Sequence, residues 1–147
     1  MSDWQWRMAD PFTMNIQVSE KDVDRLGHAN NTVYLQWMEE ISWAHIESVG
    51  LTWELQEELG RAMAIVHTGI DYKAAALAGD ELILGTWLTE FDGKLRSGRQ
   101  FQLVRPSDGR TLVEAESRHV CIDTSTQRPA RIPKPMADLL KEASHDQ

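Results

Sequence analysis

A single cysteine, Cys121, in 147 residues excludes an intrachain disulfide and any zinc site that needs several thiolates. Positive charge is scarce. Fifteen Lys and Arg stand against twenty-three Asp and Glu, a formal net charge of −8, the wrong sign for a protein whose main partner is nucleic acid or an anionic membrane. No stretch approaches the roughly 20 apolar residues of a membrane span. The opening MSDWQWRMADPF interrupts its apolar residues with charge and lacks the continuous apolar core of a signal peptide, so a cytoplasmic protein is expected. Nor is there an internal repeat, a low-complexity run or a linker. The expectation is a single domain over residues 1–147, long enough to bury most of the surface that the unfolded chain exposes.

What the chain does have is tryptophan. Six indoles are hard to bury in one small core, which places some of them at an interface or a pocket. The five histidines are scattered, with no H-E-x-x-H or comparable spacing, so no metal site is expected.

Periodicity separates the chain into one long helix and a sheet. FTMNIQVS, Phe12 to Ser19, alternates as a strand does. Val33, Tyr34, Trp37, Met38, Ile41 and Ala44 then recur at helical spacing until Gly50 supplies a stop, which predicts a helix from Asn31 to Val49, ~27 Å long. TWELQEELG reads as a short helix capped by Thr52 and ended by Gly60. AMAIVHTGIDY, ELILGTWLTEF, GRQFQLVRP and TLVEAESRHVCID are strand-forming segments separated by turn signals, and Pro135 marks the start of a last helix, MADLLKEA. A strand, one long helix and about four further strands make an α+β protein whose antiparallel sheet needs that helix to cover it.

The stretch DVDRLGHANNTVYLQWMEE, Asp22 to Glu40, carries the chemistry. With Asn30 as N-cap, its side-chain oxygen takes the amide of Thr32 or Val33 and the Asn31 amide is left without an intrahelical acceptor. That donor sits at the positive end of the helix dipole, where a carbonyl oxygen gaining charge is stabilised. Asp24 lies six residues before the cap on a loop kept tight by Gly27, so an acid and an oxyanion donor can flank one reacting carbon. Read alone, Asp24 is a turn-forming acid and Asn30 and Asn31 are caps.

Asp22, Asp24, Gly27, His28, Asn30, Asn31 and Tyr34 together resemble the motif of the hotdog-fold thioesterases, both the 4-hydroxybenzoyl-CoA type and the acyl-carrier-protein type. The likeness continues through IDYKAAALAGDEL, similar to the family's Y-x-x-P-A-x-x-G-D with alanine in place of proline. The resemblance implies an antiparallel β-sheet wrapped around one long central α-helix. It also implies hydrolysis of an acyl-CoA thioester without metal or redox cofactor, and a homodimer or homotetramer with the active site at the protomer interface.

By that resemblance Asp24 is the catalytic carboxylate, either nucleophile or general base, and Asn31 supplies the oxyanion amide. His28 matches a catalytic histidine of the acyl-carrier-protein relatives, but the asparagine they carry two residues earlier is Leu26 here. His28 then positions water or substrate, or simply holds the loop. Tyr34 reads as core or pocket wall, and His67 as a structural strand histidine or a lining of the acyl pocket. Two basic groups suit the phosphates of coenzyme A: Lys94, Arg96 and Arg99, and Arg128, Arg131 and Lys134, with Arg96 and Arg131 foremost. Solvated surface charge is the other reading of both. A hydratase or dehydratase acting on acyl thioesters, a non-catalytic acyl-CoA binding module and an acyl-carrier-protein substrate are the alternatives. Acyl-chain preference is not written in the motif.

Overall fold

The computed structural model describes residues 4–144. Its elements run in the order β1 (Phe12–Gln17), a 3-10 turn (Glu20–Asp22), α1 (Asn31–Ser48), α2 (Trp53–Leu59), β2 (Arg61–Tyr72), β3 (Glu81–Thr89), β4 (Arg96–Arg105), β5 (Arg110–Asp123) and α3 (Lys134–Ala143). The strands form one sheet in the order β1-β3-β4-β5-β2. β1 pairs antiparallel with β3, from Phe12 opposite Thr86 to Gln17 opposite Glu81. The long helix, the five strands and both ends of α2 fall where the periodicity puts them. Thr52 caps α2 by accepting from the Leu55 amide at 3.1 Å, and Gly60 ends it at a φ of 67°, a left-handed conformation that glycine adopts without a Cβ penalty. The last helix begins one residue earlier than expected, at Lys134, with Pro133 as its cap. Proline there surrenders no intrahelical hydrogen bond.

The chain divides into two compact units, neither of them contiguous: Met1–Ser42, Ile70–Thr86 and Phe101–Ala115 in one, Trp43–Gly69, Trp87–Gln100 and Glu116–Gln147 in the other. In the first, the apolar stripe of α1 (Val33, Tyr34, Trp37, Met38, Ile41) packs on Leu82, Leu84, Phe101, Leu103 and Val113 of the sheet. Each such side chain, fully withdrawn from water, contributes about 1.5–3 kcal/mol before the entropy of ordering it. The opposite face of these strands is covered by the N-terminal segment. Trp6 lies on Gly85 so closely that a Cβ there would stand 2.7 Å from the indole. The buried Gln102 side chain fastens the segment: Oε1 accepts from the Arg7 amide, and Nε2 donates to the Gln5 carbonyl and to Thr111 Oγ1. Two of the six tryptophans, Trp4 and Trp6, stack edge-on here.

The second unit has its own core of Leu51, Leu88, Cys121, Ile132, Met136 and Leu140. Met136, Leu140 and Ala143, all buried, stand four and three residues apart and so share one face of α3. Lys134 and Asp138 pair at 3.0 Å on its exposed side.

Because Gly85 is the seat of Trp6, a side chain there has to displace the indole. Gly85→Val is expected to destabilise the protein by about 1–3 kcal/mol, and by much less in a Trp6→Ala background. Urea denaturation of the two single variants and the double variant measures this coupling.

Candidate active site

The segment from Ser19 to Asn30 folds as a small hairpin that feeds directly into α1. Its stem is a bridge between Val23 and Ala29, flanked by the Asn30 amide donating to the Asp22 carbonyl and the Asp24 amide donating to the His28 carbonyl, both at 2.8 Å. The two acids have different tasks. Asp22 Oδ2 accepts from the Ser19 amide and hydroxyl at 2.9 and 3.1 Å, closing the 3-10 turn. Asp24 stands at the tip, exposed, and its Oδ1 accepts from the amides of Leu26 at 2.8 Å and His28 at 3.2 Å. One oxygen of the carboxylate is thereby fixed by the loop that it closes. Gly27 turns the chain back at a φ of 80°.

This hairpin is laid against the segment before β3. The Ala29 amide donates to the Ala76 carbonyl at 2.8 Å, His28 bridges Leu77, and the Ala78 amide donates to the Gly27 carbonyl at 3.2 Å. The two stretches that carry the family likeness thus meet through their backbones. Tyr34, 4% exposed, closes the same junction: its hydroxyl accepts from the buried Ala76 amide at 3.2 Å, and its ring packs edge-on against Trp37 and Tyr72.

The cap differs from expectation. The Val33 amide donates to the Asn30 backbone carbonyl at 3.0 Å, so the first turn closes through the main chain and not through the Asn30 side chain, which is exposed. The reason is local: the Asn30 amide is tied back to Asp22, and that tie aligns the Asn30 carbonyl with the helix. Asn31 opens α1 exposed, and a first-turn amide has no intrahelical acceptor. The apolar gap between α1 and the sheet, bounded by Tyr34, Trp37, Met38 and Phe101, has room for about 10 Å³, which is less than an acyl chain requires.

Asp24, His28, Asn30, Asn31 and Tyr34 therefore lie together in the first unit. His67, Arg96 and Arg131 lie in the second. His67, half-exposed on β2, faces Glu116 at 3.4 Å. The two basic segments are joined: the Ile132 amide donates to the Lys94 carbonyl at 2.7 Å, so Lys94, Arg96, Arg128, Arg131 and Lys134, all exposed, belong to one surface. Asp92 shapes its turn by accepting from the amides of Lys94, Leu95 and Arg96, which holds its carboxyl down at about 2.

Arg99 departs from its expected role as a phosphate contact. It is 3% exposed, and its Nη1 lies 2.9 Å from His45 Nδ1. Strand alternation separates it from exposed Arg96, three positions away and therefore on the opposite face. A guanidinium only donates, so His45 accepts through Nδ1. His119 belongs to the same cluster: burial and the Arg99 charge lower its pKa from 6.5 to about 4. Neither histidine stood out in the sequence, because polar residues at core positions are visible only once the strand register is known.

The His119 shift has a sign. Its folded-state pKa lies below the unfolded value, so its contribution to stability is intact above pH 6.5 and is lost as pH falls toward 4, by about 3 kcal/mol in full. His119→Gln should lose less stability than the parent between pH 7.5 and 4.5, as measured by urea midpoints at each pH. Tyr34→Phe, which strands the buried Ala76 amide, should cost about 1–3 kcal/mol at neutral pH in the same assay.

Comparison with known proteins completes the picture. Residues 6–140 match the family model described as "Thioesterase-like superfamily". The chain is 26% identical over 123 residues to "Putative acyl-CoA thioesterase YneP" of Bacillus subtilis, covering 84% of this chain and 88% of that one. It is 27% identical over 128 residues to "Long-chain acyl-CoA thioesterase FadM" of Escherichia coli, covering 86% and 95%. Among solved structures, the 1,4-dihydroxy-2-naphthoyl-CoA thioesterase Slr0204 from Synechocystis superimposes with a TM-score of 0.79 at 26% identity, covering 91% of this chain and 98% of that one. The α+β architecture is that of the hotdog fold.

Proposed function

Since the chain belongs to the thioesterase-like superfamily, we propose that it hydrolyses an acyl-CoA thioester to the free acid and coenzyme A, with Asp24 as the catalytic carboxylate. The observation that carries this reading is the fixation of Asp24 at the tip of a hairpin that runs straight into the first turn of α1. Two amides hold one carboxylate oxygen and leave the other to act. The Asn31 amide, at the positive end of α1, takes the charge that develops on the thioester oxygen as the tetrahedral centre forms.

A carboxylate in this position has two routes. As nucleophile, its oxygen bonds to the acyl carbon, the C–S bond breaks, coenzyme A leaves as thiolate, and water then hydrolyses the mixed anhydride. As general base it removes a proton from water, hydroxide adds to the acyl carbon, and the tetrahedral centre collapses with C–S cleavage to release the coenzyme A thiolate. Single turnover in ¹⁸O-water separates them: water attacking the Asp24 carbon of the anhydride leaves the label in Asp24 and the acid product unlabelled, whereas the general-base route puts the label in the product. His28, half-buried beside the turn, positions water or substrate. Asn30 and Tyr34 act through the backbone junction that they close, and the surface carrying Arg96 and Arg131 answers the phosphates of coenzyme A.

A second copy of the chain completes the functional unit in this reading. β2 ends the sheet, and Ile65 and Val66, which alternation turns to opposite faces, are 62% and 60% exposed. An edge strand bare on both faces pairs readily with another strand. Light scattering of the parent should give at least a dimer, and Ile65→Lys should lower the mass at micromolar concentration. An unchanged mass in the variant would remove this edge from the assembly.

Asp24→Ala and Asp24→Asn are each expected to lower thiol release from acyl-CoA by about a thousandfold or more while far-ultraviolet circular dichroism stays that of the parent. Turnover retained in either variant takes Asp24 out of the mechanism. Acyl-CoA bound by the parent without thiol release identifies a binding module instead.

A further inference from the structure

Arg105, the last residue of β4, lies far in sequence from the Asp24 hairpin, yet its bonds lead there. The turn between β4 and β5 brings Asp108 back over it, and Asp108 Oδ2 accepts from Nη2 at 2.8 Å and from Nε at 3.2 Å. This local pair fixes the plane of the guanidinium and leaves Nη1 free to reach further. Nη1 donates to Asp80 Oδ2 at 3.0 Å and, more loosely, to the Ala75 carbonyl at 3.4 Å. The Arg105 side chain is only 13% exposed, so the bond to Asp80 is shielded from water and strengthened accordingly.

Asp80 passes the hold onward. Its Oδ2 also accepts from the Leu77 amide at 2.9 Å, and its own amide donates to the Leu77 carbonyl at 3.0 Å, closing a turn in which Gly79 stands at a φ of 88°. The hairpin rests on this turn. Leu77 bridges His28, the Ala78 amide donates to the Gly27 carbonyl, and the His28 amide donates in turn to Asp24 Oδ1. Each step from the guanidinium to the Asp24 carboxylate is thus a hydrogen bond or a backbone bridge. We infer that Arg105 is a positioning residue for the hydrolysis proposed above: through Asp80 and the turn at 77–80 it keeps Asp24 aligned with the first turn of α1. The inference rests on the thioesterase reading, and Arg105 acts only through other residues. Alignment matters because a displacement of about 1 Å at a reacting group can cost on the order of a hundredfold in rate.

Two measurements on Arg105→Met, Asp80→Asn and the double variant test this. The first is thiol release from whichever of acetyl-, hexanoyl-, palmitoyl- and benzoyl-CoA the parent cleaves fastest, with kcat expressed per folded molecule from urea denaturation. Each single variant is expected to lower kcat about thirtyfold with KM within about twofold of the parent, and the double variant to fall no further than the worse single one. The second is native-state amide hydrogen exchange. In Arg105→Met the His28, Ala29 and Ala78 amides should exchange about tenfold faster, while the Cys121 and Ile132 amides of the other unit keep the parent's rates. A merely stabilising arginine leaves kcat per folded molecule at the parent's value or speeds exchange equally in both sets, and either result overturns the inference. Should Arg105→Met fail to fold, Asp80→Asn carries both measurements, because its amide oxygen still accepts from the Leu77 amide. If the parent cleaves no acyl-CoA, the thioesterase reading fails, and exchange alone decides whether Arg105 holds the hairpin.

Discussion

The hydrogen bond from the Ala29 amide to the Ala76 carbonyl, 2.8 Å long, is the contact on which the candidate active site depends. It joins the end of the Asp22 to Asn30 hairpin to the segment that enters β3. With the Tyr34 hydroxyl accepting from the amide of the same residue, Ala76, it fixes where α1 begins. The groups proposed to act on the thioester are positioned through this junction by main-chain bonds: Asp24 through its turn, His28 through its bridge to Leu77, Asn31 through the helix start. Backbone contacts tolerate changes of side chain, which suits a scaffold shared by relatives only about a quarter identical to this chain.

The same sheet is treated differently on its two faces and along its length. In the first unit one face takes the apolar side of α1, and the other takes the N-terminal segment, seated on a glycine and fastened by a buried glutamine. A single Gln102 amide satisfies three groups there, which is how a buried polar side chain avoids its desolvation cost. Near Arg99 the contrasting case is found, with Ser117 Oγ and His119 Nδ1 buried and without a hydrogen-bond partner among the described residues.

Much of this was legible beforehand, for reasons that differ by element. The Thr52 cap and the Gly60 stop of α2 are set by neighbours one to four residues away, so local pattern suffices to find them. The D-x-D-x-x-G-H-x-N-N stretch was legible for the same reason, since its hairpin is closed almost entirely by its own residues. The Asn30 cap is less readable, because its carbonyl, and not its side chain, accepts from the first turn while Asp22 holds its own amide. Arg99 stands near Arg96 in sequence, yet strand alternation turns the two to opposite faces.

The sequence by itself determined the class of fold, the place and length of the long helix, and the acidic loop in front of it. Each follows from periodicity, turn chemistry and capping, which act over a few residues. Only the tertiary structure decided which polar residues leave the surface: that Arg99, His45 and His119 meet in a core, that Gln102 binds the N-terminal segment, and that Lys94 and Arg131 belong to one surface. Those outcomes depend on strand register and on which segments pair. Contacts between residues tens of positions apart set these, and no local pattern encodes them.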